Sequence, residues 1–225
     1  MDYHAFLAAW PQVYLGRGLA DDPHLCLTFD DGPGVVTPAV LEALDQLGVT
    51  ATFFCLGEAA LHRPDMVRAI VAGGHEVGSH GHSHLDLRQL SAEVFARTQV
   101  LPSIRVLEDI TGSEVTLFRP PYGEISPAQV EWLASEGLTL VGWSVDPQDW
   151  ADPEAPGHVS RVVGEITRKL HPGAIVLLHD GDDGDTSRAS IVEILNELVH
   201  PLRHKGYTFV QAGHMLRRRG VAMTT

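Results

Sequence analysis

Leu25-Cys26-Leu27-Thr28-Phe29-Asp30-Asp31-Gly32-Pro33 is the stretch on which the fold turns. Leu25, Cys26 and Leu27 make a short apolar run of the kind buried in a parallel sheet, and Gly32-Pro33 ends it in a turn. Two adjacent carboxylates therefore stand where a parallel strand finishes, the end at which such sheets and barrels collect their chemistry. Alternation along a strand predicts that Asp30 and Asp31 point different ways, so that one can hold a metal while the other acts as a base. Taken alone, an Asp-Gly pair after a strand is more simply a turn. The loops downstream decide between the two readings.

Outward from this stretch, strand-like and helix-like segments alternate. Residues 25–30 form the first strand. Residues 36–47 form a helix with apolar Val36, Val40, Leu41, Leu44 and Leu47, a Thr37-Pro38 start and a Gly48 stop. Residues 50–55, rich in β-branched and aromatic side chains, are a second strand. A helix over 63–72 and a short strand over 75–78 follow, then a long helix over 91–110 interrupted near Pro102. The pattern continues with strand 115–118, helix 126–136, strand 138–143, helix 159–170, strand 174–178, helix 187–200 and strand 207–210. About seven strand-helix units without repeat or linker predict one α/β domain, a parallel barrel or strongly curved sheet.

A chain of 225 residues buries a substantial core in a single domain, and 44% hydrophobic with 20% charged residues suits a globular protein. A formal charge of −13 argues against nucleic acid or an anionic membrane as main partner. No stretch approaches the length of an integral membrane span. Residues 1–23 lack an export signal's character, because Asp2 stands where a positive segment belongs and Pro11 interrupts the apolar run 5–10. The expectation is a cytoplasmic protein, or one whose export segment this sequence lacks. Residues 3–14 read as an apolar packing arm, with a membrane-surface role as the lesser alternative. Cys26 and Cys55 each sit in an apolar run and are expected as buried free thiols, although neighbouring strands would leave a bridge open.

Four further groups follow strands. His80 and His84 in Gly78-Ser79-His80-Gly81-His82-Ser83-His84 are four residues apart, and one turn of helix would put both on one face. Two imidazoles and one carboxylate make the three-ligand set of a catalytic zinc. In an extended segment His82 could pair with either neighbour, and His75 reads as structural. Arg119, in Phe118-Arg119-Pro120-Pro121-Tyr122-Gly123, carries a permanent charge able to hold a carboxylate in its anionic form, on a loop pinned by two prolines. In Trp143-Ser144-Val145-Asp146-Pro147-Gln148-Asp149-Trp150, an acid beside an indole suggests a sugar-binding wall. His179, directly after the apolar run 174–178, is a candidate general acid. Asp182, Asp183 and Asp185 read as a solvated loop, with attraction of a cationic product as the alternative, and Arg217-Arg218-Arg219 as a frayed end.

In this order, the five groups resemble the polysaccharide deacetylases of the chitooligosaccharide deacetylase (NodB-homology) type, carbohydrate esterase family 4, over residues 25–210. The resemblance implies a distorted (β/α)7 barrel over residues 24–212, between an arm (1–23) and a tail (213–225). It implies one divalent metal, usually zinc, with cobalt, nickel or manganese as alternatives. It also implies hydrolysis of acetyl groups from an acetylated glycan, most often at N-acetylglucosamine of chitooligosaccharide or peptidoglycan type. Xylan-like O-acetyl esters or a small acetylated metabolite are the alternatives, and a non-catalytic carbohydrate-binding protein a more distant one. By position, the resemblance makes Asp30 the base and Asp31, His80 and His84 the metal ligands. Arg119 braces the base, and the Tyr122 backbone N–H helps hold the oxyanion. Asp149 tunes His179, the general acid, while Trp150 walls the groove and Leu177 lines the pocket for the acetyl methyl. Gly81 departs from the Ser or Thr usual in the family, which predicts a freer histidine loop.

Overall fold

The computed structural model describes residues 6, 9–181 and 189–220. Asp182, Asp183, Asp185, the expected helix start at 187, most of the expected packing arm before Ala9 and the end of the tail lie outside them. In chain order the elements are β1 (Tyr14–Leu15), β2 (His24–Asp30), α1 (Thr37–Leu47), β3 (Thr52–Cys55), α2 (Gly57–His62), α3 (Pro64–Ala72) and β4 (Glu76–Ser79). Then come α4 (Ala92–Phe95), a π-helical stretch (Ala96–Val100), α5 (Leu101–Thr111), β5 (Leu117–Phe118), α6 (Pro127–Ser135), β6 (Thr139–Val141) and α7 (His158–Lys169). The chain closes with β7 (Ala174–His179), α8 (Ser190–His204), β8 (Thr208–Phe209) and α9 (Ala212–Arg218).

Every ladder is parallel, in the order β1-β6-β5-β4-β3-β2-β7 with β8 added beside β2. After β6 the chain bends across to β7, where Val145 bridges Val176 and the Leu177 N–H donates to the Val145 carbonyl at 2.9 Å. That bridge draws the sheet into the expected distorted barrel. No helix among the described residues is long and apolar enough to cross a membrane.

The alternation of β2 sorts its side chains. Leu25, Leu27 and Phe29 face the helices with Val40, Leu44, Ile194 and Leu198, while Cys26 faces the barrel interior with Phe54, Val141 and Ile175. Asp30 falls on the inward parity and is 3% exposed. Cys55 belongs to the outer layer and Cys26 to the inner one, so the two thiols occupy opposite faces of the sheet and both are free. Burial, then the nearby Glu76 charge, pushes the Cys26 thiol up to about 12, and burial raises Cys55 as well.

Several elements differ from the sequence expectation. The long helix changes at the π-helical stretch before Pro102, which itself occupies the first turn of α5, where a missing N–H costs nothing. Helix α8 runs through Pro201 to His204 because Leu198, Val199 and Leu202 stay buried on its inner stripe. Within the expected arm, Tyr14–Leu15 joins the sheet beside β6. Within the expected tail, α9 presses Met215 and Leu216 against the bottom of the barrel. Arg218 pairs with Asp22 at 3.1 Å and Arg219 donates to the Tyr14 and Pro11 carbonyls, so this basic run is an anchored end rather than a frayed one.

Candidate active site

The carboxyl ends of β2, β4, β5, β6 and β7 meet over one cavity of about 450 Å³. Register brings the groups to one level, since Asp30 pairs with His179 on β7 and with Phe54 on β3, and Ser79 pairs with Phe118 just before Arg119. Asp30, Asp31, His80, His84, Tyr122, Trp150, Leu177 and His179 line the cavity, and Trp143 and Asp146 join them. Arg119 and Asp149 stand directly behind, buried at 0% and 5% exposure.

Arg119 spends its guanidinium inside the barrel. Nη1 donates to Asp30 Oδ1 and to Thr28 Oγ1, both at 2.7 Å. Nε donates to the Val141 carbonyl at 3.2 Å and Nη2 to the Gly142 carbonyl at 2.8 Å. The planar group lies over the Phe54 ring, 4.1 Å from its centroid. One oxygen of Asp30 is thereby fixed, and Oδ2 is left on the side of His80 Nε2, 3.8 Å away.

Asp31 leaves the strand with φ +72°, a conformation that costs a non-glycine residue about 1–3 kcal/mol. The two aspartates do not face opposite sides of the sheet, as alternation alone predicts. The left-handed turn swings Asp31 back over the same cavity, where Oδ1 lies 3.3 Å from His80 Nε2 and 3.3 Å from His84 Nε2. One ligand atom from each of Asp31, His80 and His84 falls within 4.8 Å of the others. The His80 Nδ1 stands 2.8 Å from the Arg119 carbonyl, which can only accept, so Nδ1 carries the proton and Nε2 is free to ligate. Two imidazoles and a carboxylate converging on one point, with cavity beside them, fit a divalent cation with an open position. Burial alone would raise the Asp31 carboxyl. With no metal bound and the imidazoles protonated, the hydrogen bond from His80 Nε2 and the charges of His80, His179 and His84 outweigh it and hold the group well below the usual carboxylate range.

His80 and His84 do not share a turn of helix. The segment after β4 is an irregular loop that folds back on itself, bringing the two rings to 5.5 Å between centroids. His82 turns away from the cluster and packs on Gly57, where even a Cβ would come within 2.5 Å of its Nδ1. Gly81 has φ +87°, a conformation that suits glycine in this turn. The loop is nonetheless tied down. Gly57 N–H donates to the Gly81 carbonyl and Glu58 N–H to the His82 carbonyl, both at 2.9 Å, and Ser83 N–H donates to Gln99 Oε1 at 3.1 Å. Gln99, buried in the π-helical stretch, escaped the sequence reading. Its only signal was a polar residue inside an apolar helix face.

Across the cavity, Asp149 grips His179 twice, accepting from its backbone N–H at 2.9 Å and facing its Nδ1 at 2.8 Å. Burial lowers the His179 pKa, but the Asp149 charge and hydrogen bond, with Asp30 and Asp31 behind them, lift it to about 9. Beside it burial pushes Asp180 up to about 7, against the Thr37 hydrogen bond. Tyr122 has φ +60°, and its ring packs edge-on to His84 at 4.5 Å. Tyr122 and Trp150 stand 62% and 48% exposed at the cavity rim, aromatic surface available to a ligand. His75 is structural, accepting the Ala51 N–H at 3.2 Å against Phe53.

This fold, with acids, imidazoles and exposed aromatics gathered at strand ends, defines a hydrolase of the carbohydrate esterase type. The family model described as polysaccharide deacetylase matches residues 18–141, and the chain belongs to that family. A peptidoglycan-N-acetylglucosamine deacetylase of Bacillus cereus is 34% identical over 206 residues, 91% of this chain and 72% of the relative. A chitooligosaccharide deacetylase of a Bradyrhizobium species is 40% identical over 192 residues, 80% of this chain and 85% of the relative. Among solved structures, the Bc1960 peptidoglycan N-acetylglucosamine deacetylase superposes with a TM-score of 0.87 at 30% identity, covering 96% of this chain and 98% of that one.

Two outcomes follow from these contacts. Replacing Arg119 by Met leaves the Asp30 carboxylate buried without its cation, which in urea unfolding lowers stability by about 3–5 kcal/mol. Adding Asp30→Leu recovers at least about 1 kcal/mol of that loss, and simple additivity of the two substitutions would contradict the pairing. In the metal-free protein, NMR titration is expected to show His179 protonated until pH rises toward about 9, well above the ordinary 6.5. Because the folded pKa is raised, its stabilising contribution is complete below about 6.5 and is lost as pH rises through about 9. Asp149→Asn moves the titration down, and an unmoved midpoint would deny Asp149 its role.

Proposed function

We propose that this enzyme removes acetyl groups from N-acetylglucosamine units of chitooligosaccharide or peptidoglycan type. The observation that carries the reading is the pair of adjacent acids with separate partners, Asp30 on Arg119 and Asp31 on two imidazoles, facing the Asp149–His179 pair across one cavity. The names of the relatives support the substrate class.

Asp31, His80 and His84 would hold a divalent metal, zinc by the nature of the set, which when bound supplies Lewis acidity to a carbonyl and lowers the pKa of water toward about 7. Asp30 acts as the base. Its Oδ1 is occupied by Arg119, so Oδ2 takes the proton from the water as the oxygen bonds to the acetyl carbon. The Tyr122 N–H, on a backbone turned by its positive φ, donates to the oxygen on which charge develops. As the C–N bond breaks, His179 gives its Nε2 proton to the leaving nitrogen, with Nδ1 held by Asp149. Acetate and a free amine result. Leu177 offers an apolar contact for the methyl group, and the exposed face of Trp150 offers a wall for a sugar ring.

The reading is tested by acetate release from the zinc-loaded protein on N-acetylglucosamine oligomers, peptidoglycan fragments and acetylxylan, with a chelated control. Release from the first two, abolished by chelator and restored by zinc, is expected. Release confined to acetylxylan, or no release from any substrate with metal bound, would overturn it.

A further inference from the structure

Asp180 has no part in the chemistry just described, yet its side chain is fully buried beside the turn that carries Asp31. A carboxyl is costly to bury where an apolar side chain would pack, so its contacts deserve an account. Thr37 Oγ1, also fully buried at the start of α1, donates to Asp180 Oδ2 at 2.5 Å and accepts the Gly34 N–H at 2.7 Å. A polar chain thus runs from the end of β7 through α1 into the Gly32–Gly34 turn. The same corner grips the turn through the backbone, where the N–H groups of Asp180 and Gly181 both donate to the Asp30 carbonyl, at 3.2 and 3.3 Å. Contact is so close that a Cβ on Gly32 would lie 2.4 Å from Asp180 Oδ1, and one on Gly181 would lie 2.2 Å from the Asp31 carbonyl. On the far side, Leu56 N–H donates to the Gly32 carbonyl at 2.9 Å.

Asp31 thus holds its left-handed φ of +72° between two braces, one from β3 and one from β7. We propose that Asp180 is a positioning residue for the metal site, acting through Thr37 and the glycine turn to keep Asp31 aimed at His80 and His84. The inference rests on the reading that these three residues bind a divalent metal. The brace holds a carboxylate in an unfavourable backbone state that the chain would otherwise relax, and relaxation would carry Oδ1 away from both imidazoles.

Zinc affinity, measured by competition with a chromophoric chelator, and the visible absorption of the cobalt-substituted protein, which reports ligand geometry, test this. Asp180→Ala and Thr37→Val are expected to weaken zinc about 10- to 100-fold and to change the cobalt bands, whereas Asp180→Asn, which can still accept from Thr37, stays within about threefold of the parent. Leu198→Ala, a core truncation in α8, serves as the control for lost stability and leaves zinc affinity unchanged. Parental affinity and cobalt bands in Asp180→Ala or Thr37→Val overturn the inference. Should Asp180→Ala fail to fold, Thr37→Val against Asp180→Asn makes the same comparison. If zinc binding by the parent is weak and unaltered by Asp31→Ala, the metal-site reading itself falls, a result distinct from failure of the brace alone.

Discussion

The fully buried ion pair between Arg119 and Asp30 is the constraint on which the rest of this structure depends. A guanidinium inside a barrel is tolerable only when each face of it has a partner, and here Thr28, the Val141 and Gly142 carbonyls and the Phe54 ring supply the others. Those partners come from β2, β3, β6 and the turn just beyond β6, so Arg119 ties together strands far apart in sequence. Its own backbone carbonyl then accepts from His80. One residue therefore fixes the proposed base with its side chain and a proposed metal ligand with its main chain.

The adjacency of Asp30 and Asp31 has a physical logic. Two carboxylates at one place repel each other unless each has a separate cationic or hydrogen-bonding partner. Asp30 finds its partner inside the barrel, and Asp31 finds its own above it through a turn that no strand geometry provides. The strain of that turn is offset by packing around Gly32 and Gly181, where only the smallest residue lets the two loops approach. A rigid interior and a strained rim are thus two parts of one arrangement.

Much of this was legible in the sequence because it is carried by short-range pattern. The apolar run before Asp30, the apolar run before His179 and the order of the five loops led to a parallel barrel with its chemistry at the strand ends. What stayed hidden depends on contacts distant in sequence. Tyr14–Leu15 is too short to show a period and becomes a strand only because β6 offers it an edge. The histidine loop reads as a helical turn from its spacing, yet bonds to the start of α2 and to Gln99 fold it otherwise. Arg218 and Arg219 look like a loose basic end until Asp22 and two carbonyls near the N-terminus are brought beside them. Asp180 carries no motif signal of its own beyond following His179, and only burial reveals it.

The central claim is that neighbouring acids divide the work, Asp31 holding metal and Asp30 taking a proton. Zinc affinity and acetate release measured side by side on Asp30→Asn and Asp31→Asn test it most directly. The account predicts that Asp30→Asn keeps zinc while turnover falls about 10²- to 10⁴-fold, and that Asp31→Asn loses both. Near-normal turnover in zinc-loaded Asp30→Asn, or equal loss of zinc from the two variants, would contradict it.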